Sequence, residues 1–257
     1  MTMLVRGSRA ALALIVGAPV APRAMEAQDT FGSLSGAHFD VRYQRGVPQE
    51  DARRVLEFLQ TEYKSLASDL GLEPAGRTEV RIYESVGKFL EETPLKRPWR
   101  MAFFQRGVLH LQPLGAMTQR KAFDHAVSYE LALAFLDASM QKGCPRWLAE
   151  SFASYYSGET AGMTPPLGER LTAFSDLNQD IQEYPSPPQR DDVHFILSST
   201  MTYFVQKYGE KRAFRLFREF DGETSVERVF KKVFDDDYPA IEKGWAKYIA
   251  SRTASFK

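Results

Sequence analysis

An α+β domain, a small N-terminal sheet with helices followed by a mainly helical C-terminal half, is what this sequence predicts. Strand-like alternation and a hairpin turn fall before residue 115, and helical spacing dominates from Gln119 almost to the end. No internal repeat or low-complexity tract interrupts that order. Strands first and helices afterwards is the pattern of an α+β domain with segregated layers.

Each element has its own signal. His38 to Tyr43 alternates, with Phe39, Val41 and Tyr43 on one face, and reads as a strand. Pro48 opens a helix whose first turn holds Gln49, Glu50 and Asp51, the last two acidic residues that suit the positive end of the helix dipole. Val55, Leu56, Leu59, Tyr63, Leu66 and Leu70 give that helix an apolar stripe, and Gly71 stops it. Val80 and Ile82 mark a second strand, and Val86 to Thr93 a short helix ahead of Pro94 and Pro98. Short strands at Ala102 to Phe104 and Val108 to Gln112 flank Gln105-Arg106-Gly107, a hairpin turn. Beyond Gln119 only Gly158 to Arg190 breaks the helical pattern, and a short helix is predicted there from Leu167 to Ile181. The chain thus divides into a leader at 1–27 and one domain at 28–257, strand-rich over 36–115 and helical over 119–257.

Composition excludes several classes of function. The 257 residues are 44% hydrophobic and 26% charged, as in an ordinary globular protein. Lys plus Arg and Asp plus Glu balance at 33 each, so nucleic acid and anionic membrane surfaces are not expected partners. No glycine-rich nucleotide motif is present. Arg6 and Arg9, the apolar run Ala10 to Val20, and small residues through Ala24 and Ala27 follow the plan of a Sec signal peptide cut near Ala27. The apolar run is shorter than the roughly 20 residues a membrane span needs. A periplasmic or secreted location follows. Cys144 is the only cysteine, so no intramolecular disulfide can form, and it reads as a small hydrophobe or a reactive thiol.

The segment with chemical content is AVSYELALAFLDASMQKGCPRWLAESFASYYSGE, residues 126–159. YELALAFL resembles the HELAHAFL helix of gluzincin zinc metallopeptidases, and PRWLAESFASYYSGE resembles their second-helix motif. The chain is similar in this respect to the peptidase MA-like domain. That resemblance extends, less specifically, over residues 36–250, through SSTMTYFVQKYGEKRAFRLF and the closing GWAKYIA. In the family, two His four residues apart on one helix face bind Zn²⁺, the adjacent Glu polarises the metal-bound water, and a Glu on the second helix is the third ligand.

Carried over, the resemblance puts Tyr129 and Leu133 where the two His belong, Glu130 at the water-activating position and Glu150 at the third ligand. It implies a zincin-like fold with a degenerate zinc motif. Leucine has no lone pair, and tyrosine is not among the usual Zn²⁺ donors. Two carboxylates alone hold Zn²⁺ poorly. Without the metal, water keeps a pKa of about 15.7 rather than about 7. The expectation is therefore a pseudoenzyme with no cofactor. The alternative is an active metallopeptidase with a relocated metal site. His125 lies one turn before Tyr129, about 6 Å along the axis, and would join Glu150 and Tyr129. His38, His110 and His194 read as ordinary surface or satisfied histidines.

The same segment is also what a buried core helix looks like, because Leu131 to Leu136 is apolar on every side. That reading leaves Glu130 unexplained, since a carboxylate in an apolar run must find a partner. A neutral Glu130 of raised pKa, with Glu130 or Glu150 bonded to Tyr129, is the expectation that explains it. For binding, Val108, Leu109 and Leu111 are the candidate edge strand for a partner peptide, with an inner strand as the plainer reading. The proline-rich stretch 161–195, with Pro165, Pro166, Pro185, Pro187 and Pro188, is a second candidate contact surface. A protein partner, in a membrane or envelope complex, is expected in place of a substrate.

Overall fold

The computed structural model describes residues 31–95, 100–139, 143–158, Phe174, Leu177 and 187–254. The leader at 1–27, the short helix expected over 167–181 and most of the proline-rich stretch fall outside these residues, apart from Phe174 and Leu177. All described elements belong to one compact unit that begins at Phe31. The α+β expectation holds: a five-stranded mixed sheet comes first and helices follow.

The sheet begins earlier than alternation suggested. Strand β1 (Phe31–Ser35) pairs antiparallel with β2 (Phe39–Gln44), so the strand-rich region starts at 31 and not 36. The sequence FGSLS has little β-propensity, and the pairing depends on a cross-strand fit. Gly32 lies opposite Tyr43, and a Cβ there would run into the tyrosine ring.

Helix α1 (Gln49–Leu70) buries the predicted stripe, with Ala52 added, against the sheet and the later helices. It ends where predicted. Gly71 adopts φ 61°, and its N–H returns to the Ala67 carbonyl at 2.9 Å. Strand β3 (Thr78–Ile82) then pairs parallel with β2, and the short α2 (Val86–Glu92) leads on to the hairpin. Its strands are β4 (Ala102–Gln105) and β5 (Val108–Leu111), joined by Arg106 (φ 51°) and Gly107 (φ 79°). Two successive positive φ values are the signature of a tight turn that matches strand twist. The strand order is β1-β2-β3-β5-β4.

That order corrects one expectation. Val108, Leu109 and Leu111 lie on β5, which is hydrogen-bonded to β3 on one side and β4 on the other. They are an inner strand, and Leu109 and Leu111 are fully buried. The outer strand on this side is β4.

The helical half begins with α3 (Leu114–Gln119), followed by α4 (Phe123–Ser139) and α5 (Arg146–Ser157). Then come α6 (Pro187–Tyr208), α7 (Glu210–Arg215), α8 (Val226–Phe234) and α9 (Tyr238–Ala254). Pro187 and Pro188, placed in a loop by their type, open α6, where missing N–H groups cost nothing. Helix α5 packs chiefly against α4 and α6. Below it, Trp147 stacks on Phe174 with centroids 4.5 Å apart, and Phe174 meets Trp245 at 4.7 Å. The indole N–H of Trp245 donates to Thr200 Oγ1 at 2.8 Å, so this buried ring leaves no polar atom unpaired. No helix among the described residues is long and apolar enough to cross a membrane.

His110, on β5, is a structural histidine. It is buried, its Nδ1 lies 2.8 Å from the Tyr83 hydroxyl, and the two rings are near-parallel. Burial, helped by the charge of Arg81 and opposed by Glu79, lowers its pKa to about 4. The folded-state pKa is below the unfolded value of about 6.5, so this stabilisation is complete above that pH and is lost as pH falls towards 4. Urea unfolding at pH 7 and 5.5 is expected to show a loss of about 1 kcal/mol. Most of that loss should vanish in His110→Gln. An equal loss in the variant would exclude His110 as its source.

Candidate functional site

The residues singled out by the motif lie where α4 passes α5. The helices run antiparallel: His125 meets Ser157 near one end, and Tyr129 meets Glu150 further along. Helix α4 is apolar on most of its surface, with Val127, Leu131, Ala132, Ala134, Phe135 and Leu136 buried. Both carboxylates are buried too. Glu130 is 2% exposed and Glu150 4%.

Each carboxylate is held by protein donors. Glu130 Oε1 accepts from Arg100 Nη2 at 2.8 Å, and its Oε2 accepts from the backbone N–H of Phe104, on β4, at 2.8 Å. Glu150 Oε2 accepts from the Tyr129 hydroxyl, and its Oε1 accepts from Arg146 Nε at 3.2 Å. Of the two carboxylates, Tyr129 therefore donates to Glu150. Leu133, half-buried, contributes no polar atom.

Burial raises the pKa of Glu130 above its ordinary range. The charge of Arg100 and the Phe104 N–H act in the other direction, because both favour the ionised form. Burial by itself would lower Arg100. The negative field of Glu130, with Tyr129 and Glu150, outweighs that and holds the guanidinium firmly protonated. One positive charge thus stands within reach of both carboxylates, with its guanidinium 4.8 Å from the centre of the Phe103 ring.

The relocated site is not assembled. His125 is exposed, and its Nδ1 lies 2.6 Å from the Ser157 carbonyl, so that nitrogen is taken up as a donor at the end of α5. Ser157 is seven residues from Glu150, about 10 Å along the helix at 1.5 Å per residue. Among the described residues, no three or more His, Cys, Asp or Glu side chains are grouped to share a metal ion. The donor set left at 129, 133 and 150 is a phenol, nothing and a carboxylate already bonded twice. That set does not fit Zn²⁺, which is held by three or four N, S or O donors. Cys144 is half-buried, and burial pushes its thiol up to about 12, far from a reactive thiolate.

Three participants have no signal in the local sequence, and a fourth does. Arg100 and Phe104 are separated from Glu130 by 30 and 26 positions, and no local pattern announces them. His194 was read as ordinary, yet it is buried on α6 with its ring 4.9 Å from that of Tyr129 and its Nδ1 3.5 Å from Ser154 Oγ. Arg146 was legible, because it precedes Glu150 by four on the same helix.

No protein-family model matches the sequence, and no curated protein matches it. Ten chains of solved structures are similar. One is a mutant M1 zinc metallopeptidase from Deinococcus radiodurans bound to a Tyr-Ser-Ala substrate, at a TM-score of 0.45 and 16% sequence identity. The match covers 87% of this chain and 52% of that one, so the chain spans about half the length of that enzyme.

Removing one member of the Arg100–Glu130 pair leaves a charge without its partner. Arg100→Met is expected to destabilise the protein by about 2–4 kcal/mol, somewhat below the fully buried range because the guanidinium side is a quarter exposed. The double variant Arg100→Met, Glu130→Gln, which keeps an acceptor for the Phe104 N–H, should recover at least half of that loss. Additive losses in chemical denaturation would mean the pair is not coupled.

Proposed function

We propose that this protein is a non-catalytic, zincin-like pseudopeptidase that acts outside the cytoplasm as a binding or accessory subunit. The observation that supports it is the state of the two carboxylates. A water-activating Glu needs a free oxygen directed at a metal-bound water. Both oxygens of Glu130 are instead engaged, by Arg100 and by the Phe104 N–H. A ligand Glu needs a free lone pair, and Glu150 is bonded through both oxygens to Tyr129 and Arg146. The positive charge that a zinc ion would bring to the two acids is supplied here by arginine.

Export rests on the leader at residues 1–27, and the partner on the loss of a reaction for the domain to perform. A protein partner in an envelope or membrane complex is the kind that fits. Fold alone names none.

Elemental analysis of the purified chain, with and without added Zn²⁺, tests this reading. Less than about a tenth of an equivalent of zinc is expected, under the ligand requirement of such sites. The Tyr129→His, Leu133→His double variant should take up close to one equivalent, and Arg100→Met on that background should tighten binding further by removing a competing cation. Near-stoichiometric zinc in the unmodified chain, lost on Glu150→Ala, would overturn the proposal. If neither the unmodified chain nor the double variant binds zinc, positions 129, 133 and 150 are not a former ligand triad.

A further inference from the structure

A second feature lies about a quarter of a turn around α4 from Glu130, at about 100° per residue. On that face Leu131, Ala134, Phe135 and Ala138 border a cavity of about 110 Å³, closed by the loop Pro74–Thr78 and the β4–β5 turn. Small residues make the space. Ala134 and Ala138, four apart, leave a gap on the helix, while Ala75, Gly76 and Gly107 add no bulk from the loop and the turn. Ala134 is 1% exposed, so the gap reaches into the core.

Its walls are aromatic. His38 and Tyr63 stack with centroids 3.7 Å apart and planes 13° from parallel. Phe135 stands edge-on to Tyr63 at 5.2 Å, and the Phe104 ring closes another side. For comparison, an apolar cavity of about 150 Å³ accepts benzene, so a pocket of this size with one open side seats a single planar ring whose substituent stays outside. Flat aromatic walls favour such a ring through offset or edge-to-face contact.

Two charged residues stand at the rim, Arg77 and Asp137. They are not equivalent. Arg77 is paired with Asp40 at 3.3 Å, whereas among the described residues Asp137 has no ion-pair partner. The rim therefore selects a cation over an anion.

We infer that this cavity is a binding site for a small arylalkylammonium compound, its ring against the wall that Tyr63 and Phe135 form together and its ammonium group at Asp137. The inference does not depend on the state of the carboxylate pair. Phe104 is nonetheless common to both places: its N–H holds Glu130, and its ring lines the cavity.

Titration of the full chain with benzylammonium, benzyl alcohol and benzoate, followed by calorimetry or ligand-observed NMR, tests it. Benzylammonium is expected to saturate with a Kd of about 1 mM, the ordinary range for a ligand of so few atoms. Benzoate should bind about three- to fivefold more weakly, the difference one favourable charge contact makes at an exposed rim. Asp137→Asn should bring the two together. Ala134→Leu fills the cavity from its base and Ala138→Leu from its exposed rim; both should abolish binding, and the second leaves the core untouched. No saturation by 10 mM, undiminished binding to the folded Ala138→Leu variant, or equal binding of benzoate by the unmodified chain would each overturn the inference.

Discussion

The carboxylate of Glu130 joins the two layers of this protein. It projects from the middle of a helix whose neighbouring positions are apolar and buried, so it cannot be solvated by water. A buried charge without partners is too costly to persist. Its partners come from the sheet side, the Arg100 guanidinium and the Phe104 N–H. The same two bonds therefore fix α4 against β4. They also occupy an amide on a short outer strand, and occupied edge amides are one way a sheet avoids pairing with another chain. Once β4 is held, the two-residue turn at Arg106 and Gly107 places β5 between β4 and β3.

Much of this was legible in the sequence, for local reasons. The stripe of α1, its glycine stop and the Arg106-Gly107 turn all depend on residues within a few positions of one another. Helix α4 was different, because apolar residues on every side give periodicity no face to report. There the motif resemblance did the locating, and the contact between Tyr129 and Glu150 joins two of its positions across two helices. Strand β1 could not be read from FGSLS, since what makes it a strand is Gly32 giving room to Tyr43 across the ladder. Arg100 and His194 were invisible for a similar reason. Their roles exist only once segments 30, 40 and 65 positions away are brought beside them.

The two positions at which the resemblance sets a histidine are not chemically alike. Leu133 only fills space, and its change from a polar residue would leave nothing unpaired on its own account. Tyr129 supplies a hydroxyl to Glu150, which would otherwise keep one oxygen buried with no donor. Its ring also packs beside that of His194 on α6, which brings a third helix to the place. A tyrosine at 129 therefore does two things that a metal does in a zinc site: it satisfies a buried carboxylate and ties neighbouring helices together. An apolar residue there would do only the second.

This bears on how Glu130 is to be read. A carboxylate kept only as the remnant of a reaction would be a liability in an apolar helix, and its replacement by leucine or methionine would stabilise the fold. Buried ion pairs are often no better than apolar residues of equal volume, so the pair with Arg100 alone does not explain its retention. The Phe104 bond does, because an apolar side chain at 130 would leave that amide without its acceptor and β4 without its tie to α4. Buried backbone donors are rarely left unpaired. The glutamate can therefore be required by the architecture whether or not it takes part in a reaction. Its presence in a peptidase-like motif is not, in this chain, evidence of peptidase chemistry.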